Sequence, residues 1–543
     1  MDKKNSSFVF HNKKGSALLV ALIILVVLLL IGGAALKISN IETLIAGNDI
    51  TAKQAFQAAE GASEYEAAQL KNFLATSLAW SPPISTINSS ISPPSIPNYT
   101  LQETSPVALV TNSQQTKNAT GTYNGLTAWC QSFTITTTAK ENNGRAKASL
   151  VRLVEDQLIP LFQFGVFYQN LLEIFPGPTM TFNGRIHSNA NIKLGTHATL
   201  NVQQTMTAGG TISIYQPGTY HGETFSGDVT LQSQNQGVEQ LTLPIPQGSD
   251  PHDMIERGTE SYRLESKSGL KIIDGTAYNK NNQVINLNSC GSNNPVSTNT
   301  ASFYDRREGK TVSTTQINLT KLQNCPAAYN ALNDPPTGGD PGLLYVSKTP
   351  GTDLSAVRLT DGANLYNTTS LPYGLMVATD NPLYIQGNFN TTLNPHTNEP
   401  VPVALASDAV TILSTNWTST TDTNSKSQHD DLSYRTANST TVNAAIMTGN
   451  VETIDPTTGT QYSGGLENFP RFLENWSGKT LTYGGSLTCL WQSQRATGKW
   501  VNGSPVYSAP NRSWSYNMDP NNMPPGTPRV RNLQRIQWYQ VRN

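Results

Sequence analysis

Residues 13–37 read KKGSALLVALIILVVLLLIGGAALK: two lysines and a glycine, then Ser16, then an unbroken apolar run from Ala17 to Leu36. At about 1.5 Å per residue a helix of that length is roughly 30 Å long, the thickness of a bilayer's hydrocarbon core. No charged residue interrupts it. The stretch predicts a membrane helix. Lys3, Lys4, Lys13 and Lys14 precede it, and the positive-inside rule keeps such a flank cytoplasmic and places the rest of the chain outside. A secretory signal peptide has an apolar core of only about 7–15 residues before its cleavage site, so this run is too long for one.

Beyond the apolar run the helical period continues. Ile41, Leu44, Ile45, Ala52, Ala55, Phe56, Ala59, Ala62, Leu70, Phe73 and Leu74 form a stripe, while Glu42, Asp49, Lys53, Glu60, Glu64 and Lys71 fall largely off it. No proline occurs between Ser16 and Trp80. These features predict one continuous helix of about 60 residues, roughly 90–100 Å long. Its first half is apolar all round, and its second half needs a partner surface. Gly32 and Gly33 are its weak point, since each glycine disfavours helix by about 1 kcal/mol.

The junction KKG/SALLVALIILVVLL, followed by IETLIAGNDITAKQAFQAAEGA at 41–62, resembles the N-terminal region of PilX-type minor pilins of type IV pilus systems. The resemblance covers about residues 12–65. It implies that a prepilin peptidase cuts after Gly15 and that Ser16 becomes the N-methylated first residue of the mature chain. It also implies partners: the peptidase, the inner membrane, and other pilin subunits met through the N-terminal helix. Major pilins carry Glu at the fifth mature position, where this chain has Val20. A carboxylate in a bilayer is expensive unless paired, so Val20 argues against an abundant fibre subunit.

The remaining sequence is β-like. Residues 81–106 are rich in proline and serine and predict an extended linker. Within 107–158, Leu126–Ala139 and Arg145–Val154 alternate around Asn142-Asn143-Gly144, which predicts a hairpin lying against the helix. From 159 to 543 a large β-rich domain is expected, with an insertion at about 236–370 that carries one strand pair. Short apolar pairs separated by Gly or Asn at 180–214, 383–417, 441–448 and 479–492 suggest coils like those of a parallel β-helix, with an antiparallel sandwich as the competitor. Phe469, Phe472, Leu473 and Trp476 sit at helical spacing and suggest a short capping helix. The expected fold class is therefore α+β: a leader (1–15), a long membrane and amphipathic helix (16–80), and a mostly β bulk.

The chain has 543 residues, net charge -1 and 13% charged residues, so no broad field points to nucleic acid. Cys130, Cys290, Cys325 and Cys489 allow three disulfide pairings. Cys290 with Cys325 closes the shortest loop, and by loop entropy that bond is worth roughly 3–4 kcal/mol.

Candidates for chemistry are few. Arg185, His187, Ser188 and Asn189 cluster in sequence, yet residues 180–214 contain no Asp or Glu, and glycoside hydrolysis needs two carboxylates. Asp250 to Asp253, Asp422 with Asp430 and Asp431, and Asp455 lack the spacing of a dedicated calcium loop. Arg529, Arg531, Arg535 and Arg542 interleave with Trp538 and Tyr539, a pattern that could serve nucleic acid but more often is a strand. No catalytic residue, metal site or cofactor is expected, and the chain is not expected to be an enzyme.

The leading expectation is a non-catalytic minor pilin or pseudopilin-like subunit, anchored in a bacterial inner membrane by one helix with its bulk outside, then carried to a pilus or cell surface. It would contribute to pilus assembly, tip structure or adhesion, with a surface or carbohydrate ligand as a further partner. The alternative is a membrane-anchored surface protein whose β-helix domain binds or cleaves polysaccharide.

Overall fold

The computed structural model describes residues 14–541, apart from 104, 299–301, 419–420, 456, 458–460, 499 and 501–505. The chain is α+β: one long N-terminal helix followed by a large β-rich region. Most of the basic leader, residues 1–13, lies outside the described residues.

The helix α1 runs without interruption over Lys14–Thr76. Its C-terminal half turns one face to a sheet. Ala55, Ala58 and Ala59 meet Ala139, Ala148 and Leu150, so small side chains on both sides let the two backbones approach closely. Further along, Leu70 and Leu74 pack on Phe133, Ile135 and Val154, each burial contributing about 1.5–3 kcal/mol.

That sheet is antiparallel and six-stranded. Thr127–Glu141 and Lys147–Pro160 form the long hairpin, in register from Trp129 opposite Leu158 to Lys140 opposite Lys147. The last strand of the chain, Arg529–Val541, pairs antiparallel with Lys147–Pro160. The last strand therefore returns to the helix-packed sheet. Residues 81–106 are also more structured than a linker. Ile84–Ser90 is a short helix with Pro83 at its N-cap, and Ile87 and Ile91 are buried against α1 and the sheet. Ile87 is on the helix and Ile91 is its extended C-cap residue.

The β bulk is built on one long sheet of thirteen strands. Its first run climbs from Val166–Tyr168 through Ile186–Ser188 and Thr199–Ala208 to Asp228–Gln236, each paired in parallel with the next. The chain then crosses to the opposite end of the sheet. There a second run begins at Leu270–Ile273 and passes through Leu343–Ser347, Leu375–Ala378, Val403–Ser407 and Ala445–Asn450 to Leu487–Gln492, again all parallel. Leu487–Gln492 finally pairs in parallel with Val166–Tyr168, so the two runs join side by side. A second parallel sheet, including Lys310–Asn318, Leu354–Thr360, Leu383–Gln386 and Val410–Leu413, accompanies the second run.

Within residues 236–370 the first part is the crossing, and Leu270–Ile273, Leu343–Ser347 and Leu354–Thr360 belong to the same ladders as the strands that follow. The crossing explains why the strands Leu343–Ser347, Leu375–Ala378 and Val403–Ser407 are buried on both faces, as strands of parallel sheets usually are. Leu344, Val346, Val377, Leu405 and Ile446 face one core. Their neighbours Leu343, Tyr345, Met376 and Met447 face a second core, roofed by Leu241, Met254, Ile255 and Leu264 of the crossing and by Phe162 and Phe164.

Phe469, Phe472, Leu473 and Trp476 are buried, but not on a helix. Leu466–Asn468 is one 3-10 turn and Arg471–Phe472 an edge strand pairing in parallel with Val410–Leu413. Pro470 directly precedes that strand, a position where its missing N–H is tolerated.

Candidate assembly site on the N-terminal helix

Every residue from Ala17 to Ile50 is exposed, a free rod of roughly 50 Å. Leu18 is 76% exposed and Leu30 68%. Water does not tolerate an apolar surface of this extent, so its partner is lipid, another chain, or both. It is the one described helix long and apolar enough to cross a membrane. Gly15 and Ser16 stand in its first turn. Val20, Gly32 and Gly33 all lie on the free rod, and small residues there permit close helix packing in lipid.

The rod is held to the globular part by a polar lock at its other end. Glu64 joins two arginines, Arg152 at 2.6 Å and Arg535 at 2.8 Å. Arg152 also donates to the Ser63 hydroxyl at 3.1 Å. The Glu66 carboxylate is buried and accepts a hydrogen bond from Thr137 Oγ1 at 2.6 Å. Lys71 pairs with Glu239 of the crossing segment. At the end of the helix Arg531 donates to the carbonyl of Leu74, and at 3.1 Å and 3.3 Å to those of Ala79 and Trp80. A cation against the last carbonyls of a helix is favoured by its dipole. Beneath it lies Asp156, whose carboxyl burial pushes up, an effect that Arg531 and the Gln131 amide offset only in part. Nothing local marks Arg152, Asp156 and Arg531 as partners in the sequence, because the last strand joins the sheet from more than 370 positions away.

The other sequence candidates have structural occupations. His187 is wholly buried, with Nδ1 2.8 Å from Thr207 Oγ1 and Nε2 2.9 Å from Asn189 Oδ1. Tyr123, Phe164 and Phe167 surround its ring, and burial lowers its pKa to about 4. Ser188 donates to the Asn170 carbonyl at 2.7 Å, and Arg185 donates to the carbonyl of Asn124. The four are not brought together as a reactive set: Ser188 is turned to a different partner from His187, as neighbours on a strand must be.

The carboxylates suggested for calcium are similarly engaged. Asp250 caps the 3-10 turn Pro251–Met254, Asp253 lies 3.9 Å from Arg263, and Asp422 grips Arg358 at 2.9 Å and 3.0 Å. Asp430 pairs with Arg306, Asp431 caps Leu432–Arg435, and Asp455 accepts from the Thr457 amide at 2.8 Å. Among the described residues no group of three or more His, Cys, Asp or Glu is placed to hold a metal. Cys290 and Cys325 are disulfide-bonded with Cα atoms 5.3 Å apart, while Cys130 and Cys489 are buried thiols.

In the C-terminal strand Arg529 lies over the Trp80 ring at 3.9 Å, and Arg531 and Arg535 belong to the lock. Trp538 contacts Phe56 of the helix at 5.6 Å, while Tyr539 is half exposed. Arg542 lies outside the described residues.

The PilX N-terminal family model matches residues 14–64, which spans the free rod and the start of the lock. No curated protein matches the chain. Among solved structures, the competence-associated pilin ComZ from Thermus thermophilus overlays with a TM-score of 0.31 and 13% identity, covering 90% of this chain and 97% of that one. The N-terminal segment is PilX-like and carries a large C-terminal β-rich region.

Proposed function

We propose, from the premise of a PilX-type helix joined to a large β-rich body, that this chain is a non-catalytic minor pilin of a type IV pilus system. One observation carries the proposal: the matched stretch, residues 14–64, contains the whole segment that is exposed from Ala17 to Ile50, of which Ala17 to Leu36 is an unbroken apolar run. A surface of that kind is an assembly handle. In this role the basic flank stays cytoplasmic, a prepilin peptidase cuts between Gly15 and Ser16, and Ser16 is then N-methylated. The apolar rod holds the chain in the inner membrane until neighbouring pilin helices replace lipid around it.

Two features support the finer role. Val20 stands where a major pilin carries its carboxylate, and the β bulk is too large to repeat along a narrow fibre. Both favour a sparse subunit at the tip or base that primes assembly or mediates adhesion. The disulfide between Cys290 and Cys325 suits an extracytoplasmic location, because such bonds persist in oxidising compartments.

A photo-crosslinking residue placed at Leu29, in membranes of the native host, tests the handle. Adducts containing the apolar helix of another pilin are the expected product; adducts with lipid alone, or with non-pilin proteins, would refute it.

A further inference from the structure

A cleft of about 710 Å³ opens where the second strand run begins. Leu270–Ile273, Thr276–Tyr278 and Val284–Ile285 are the terminal strands of the long sheet at this end. Its wall carries three cations, Arg257, Lys271 and Lys280, against one carboxylate, Glu265.

The charges are not equally available. Glu265 is occupied, accepting from the Gly258 amide at 2.7 Å and lying 3.8 Å from Arg257. Lys280 pairs with Asp334, itself 65% exposed, and such a surface pair is worth little and opens readily. Lys271 differs from both. It is only 7% exposed, and its ammonium donates to Asn282 Oδ1 at 2.7 Å. Among the described residues no carboxylate lies within ion-pair distance of it. Asn282 has a left-handed backbone, φ 59°, fixed by a turn in which its amide donates to the Asn279 carbonyl. Two of the three ammonium protons of Lys271 therefore remain for a ligand. Burial lowers the pKa of Lys271, an effect that the nearby Glu265 carboxylate offsets only in part.

The size of the cleft matches an organic ligand rather than a lone inorganic ion. Its wall is mostly polar, with Tyr278 as an aromatic face, which suits a sugar better than a lipid. We propose that this cleft binds a carboxylate-bearing oligosaccharide, a uronate segment of about two or three rings, with its carboxylates on Lys271 and Arg257 and one ring on Tyr278. The wall holds one carboxylate, Glu265, where glycoside hydrolysis uses a pair. The site does not depend on the pilin role, and either can fail without the other.

The test is calorimetric titration of the full chain, held in phosphatidylcholine nanodiscs, with tetragalacturonate, neutral maltotetraose and inorganic sulfate. Tetragalacturonate should bind at least about tenfold more tightly than the other two. Lys271→Met should weaken it by tenfold or more, Lys271→Arg should stay within about threefold of wild type, and Arg257→Ala, a change at a half-exposed side chain, should weaken it several-fold without altering the melting temperature. Equal affinity for maltotetraose, sulfate as tight as tetragalacturonate, no detectable tetragalacturonate binding, or unchanged binding in both Lys271→Met and Arg257→Ala would each overturn the proposal.

Discussion

Arg531 on the last strand and Asp156 on the hairpin form an ion pair, with Nε 3.1 Å from Oδ1 and side chains only 2% and 0% exposed. Through the same guanidinium the strand also caps α1. The helix and the last strand are thus fastened to each other inside the antiparallel sheet, and Glu64 with Arg535 and Phe56 with Trp538 add further contacts along them.

Removing one partner of a buried pair leaves the other charge uncompensated, which costs roughly 3–5 kcal/mol. Arg531→Met should therefore destabilise the chain by about that amount in urea unfolding followed by tryptophan fluorescence. Adding Asp156→Asn to Arg531→Met should restore part of the loss. A double variant no more stable than Arg531→Met would show that the helix-capping bonds, not the ion pair, dominate.

Four residues along the same strand, Arg535 is 58% exposed and pairs with Glu64, which is 42% exposed. Pairs in solvent are worth at most about 1 kcal/mol. Arg535→Ala should accordingly cost less than about 1 kcal/mol in the same assay, several-fold less than Arg531→Met.

Two buried groups should give opposite pH dependences. Burial raises Glu474, which accepts from the Ser414 amide and hydroxyl, to about 7. Between its ordinary value of 4.5 and 7 the folded chain holds a proton that the unfolded chain has lost, so this group makes stability fall as pH rises. His187, lowered from 6.5 to about 4, does the reverse: between 4 and 6.5 the unfolded chain binds the extra proton, and stability rises with pH. Relative to wild type, Glu474→Gln should make stability climb more steeply from pH 4.5 to 6.5, and His187→Gln should make it climb less steeply or fall. Each effect is at most about 3 kcal/mol over its window. Urea titrations at half-unit pH steps measure both slopes.

The disulfide between Cys290 and Cys325 spans 35 positions, and loop closure of that length is worth about 3–4 kcal/mol. A Cys290→Ser, Cys325→Ser chain should lose that much stability. Reducing agent should have little further effect on it, because Cys130 and Cys489 are buried thiols.

The helix was legible in the sequence because its signals are local: an apolar run, a 3.6-residue stripe and no proline. The hairpin was legible for the same reason, with alternation on either side of Asn142-Asn143-Gly144. Arg531 was not. Its partners, Asp156 and the end of α1, are assembled by pairing across most of the chain, and an arginine facing a buried carboxylate looks in sequence like an arginine facing solvent. The order of the strands was hidden likewise. Parallel neighbours such as Leu487 and Val166 share no turn, so nothing near either marks the point where the two runs meet. Phe469, Phe472, Leu473 and Trp476 misled because short apolar spacings fit a helix and a buried edge segment equally well. Lys271 gave no signal, since its burial depends on the turn that places Asn282 beside it.

On the proposed reading, the stretch around Ser16 is an assembly handle matured by a prepilin peptidase. Co-expression of the full chain with such a peptidase, followed by mass spectrometry of the N-terminal peptide, measures it directly. The expected peptide begins at Ser16 and carries an N-methyl group, and Gly15→Ala should leave the leader attached. A product that keeps residues 1–15, or begins anywhere other than Ser16, would contradict the claim.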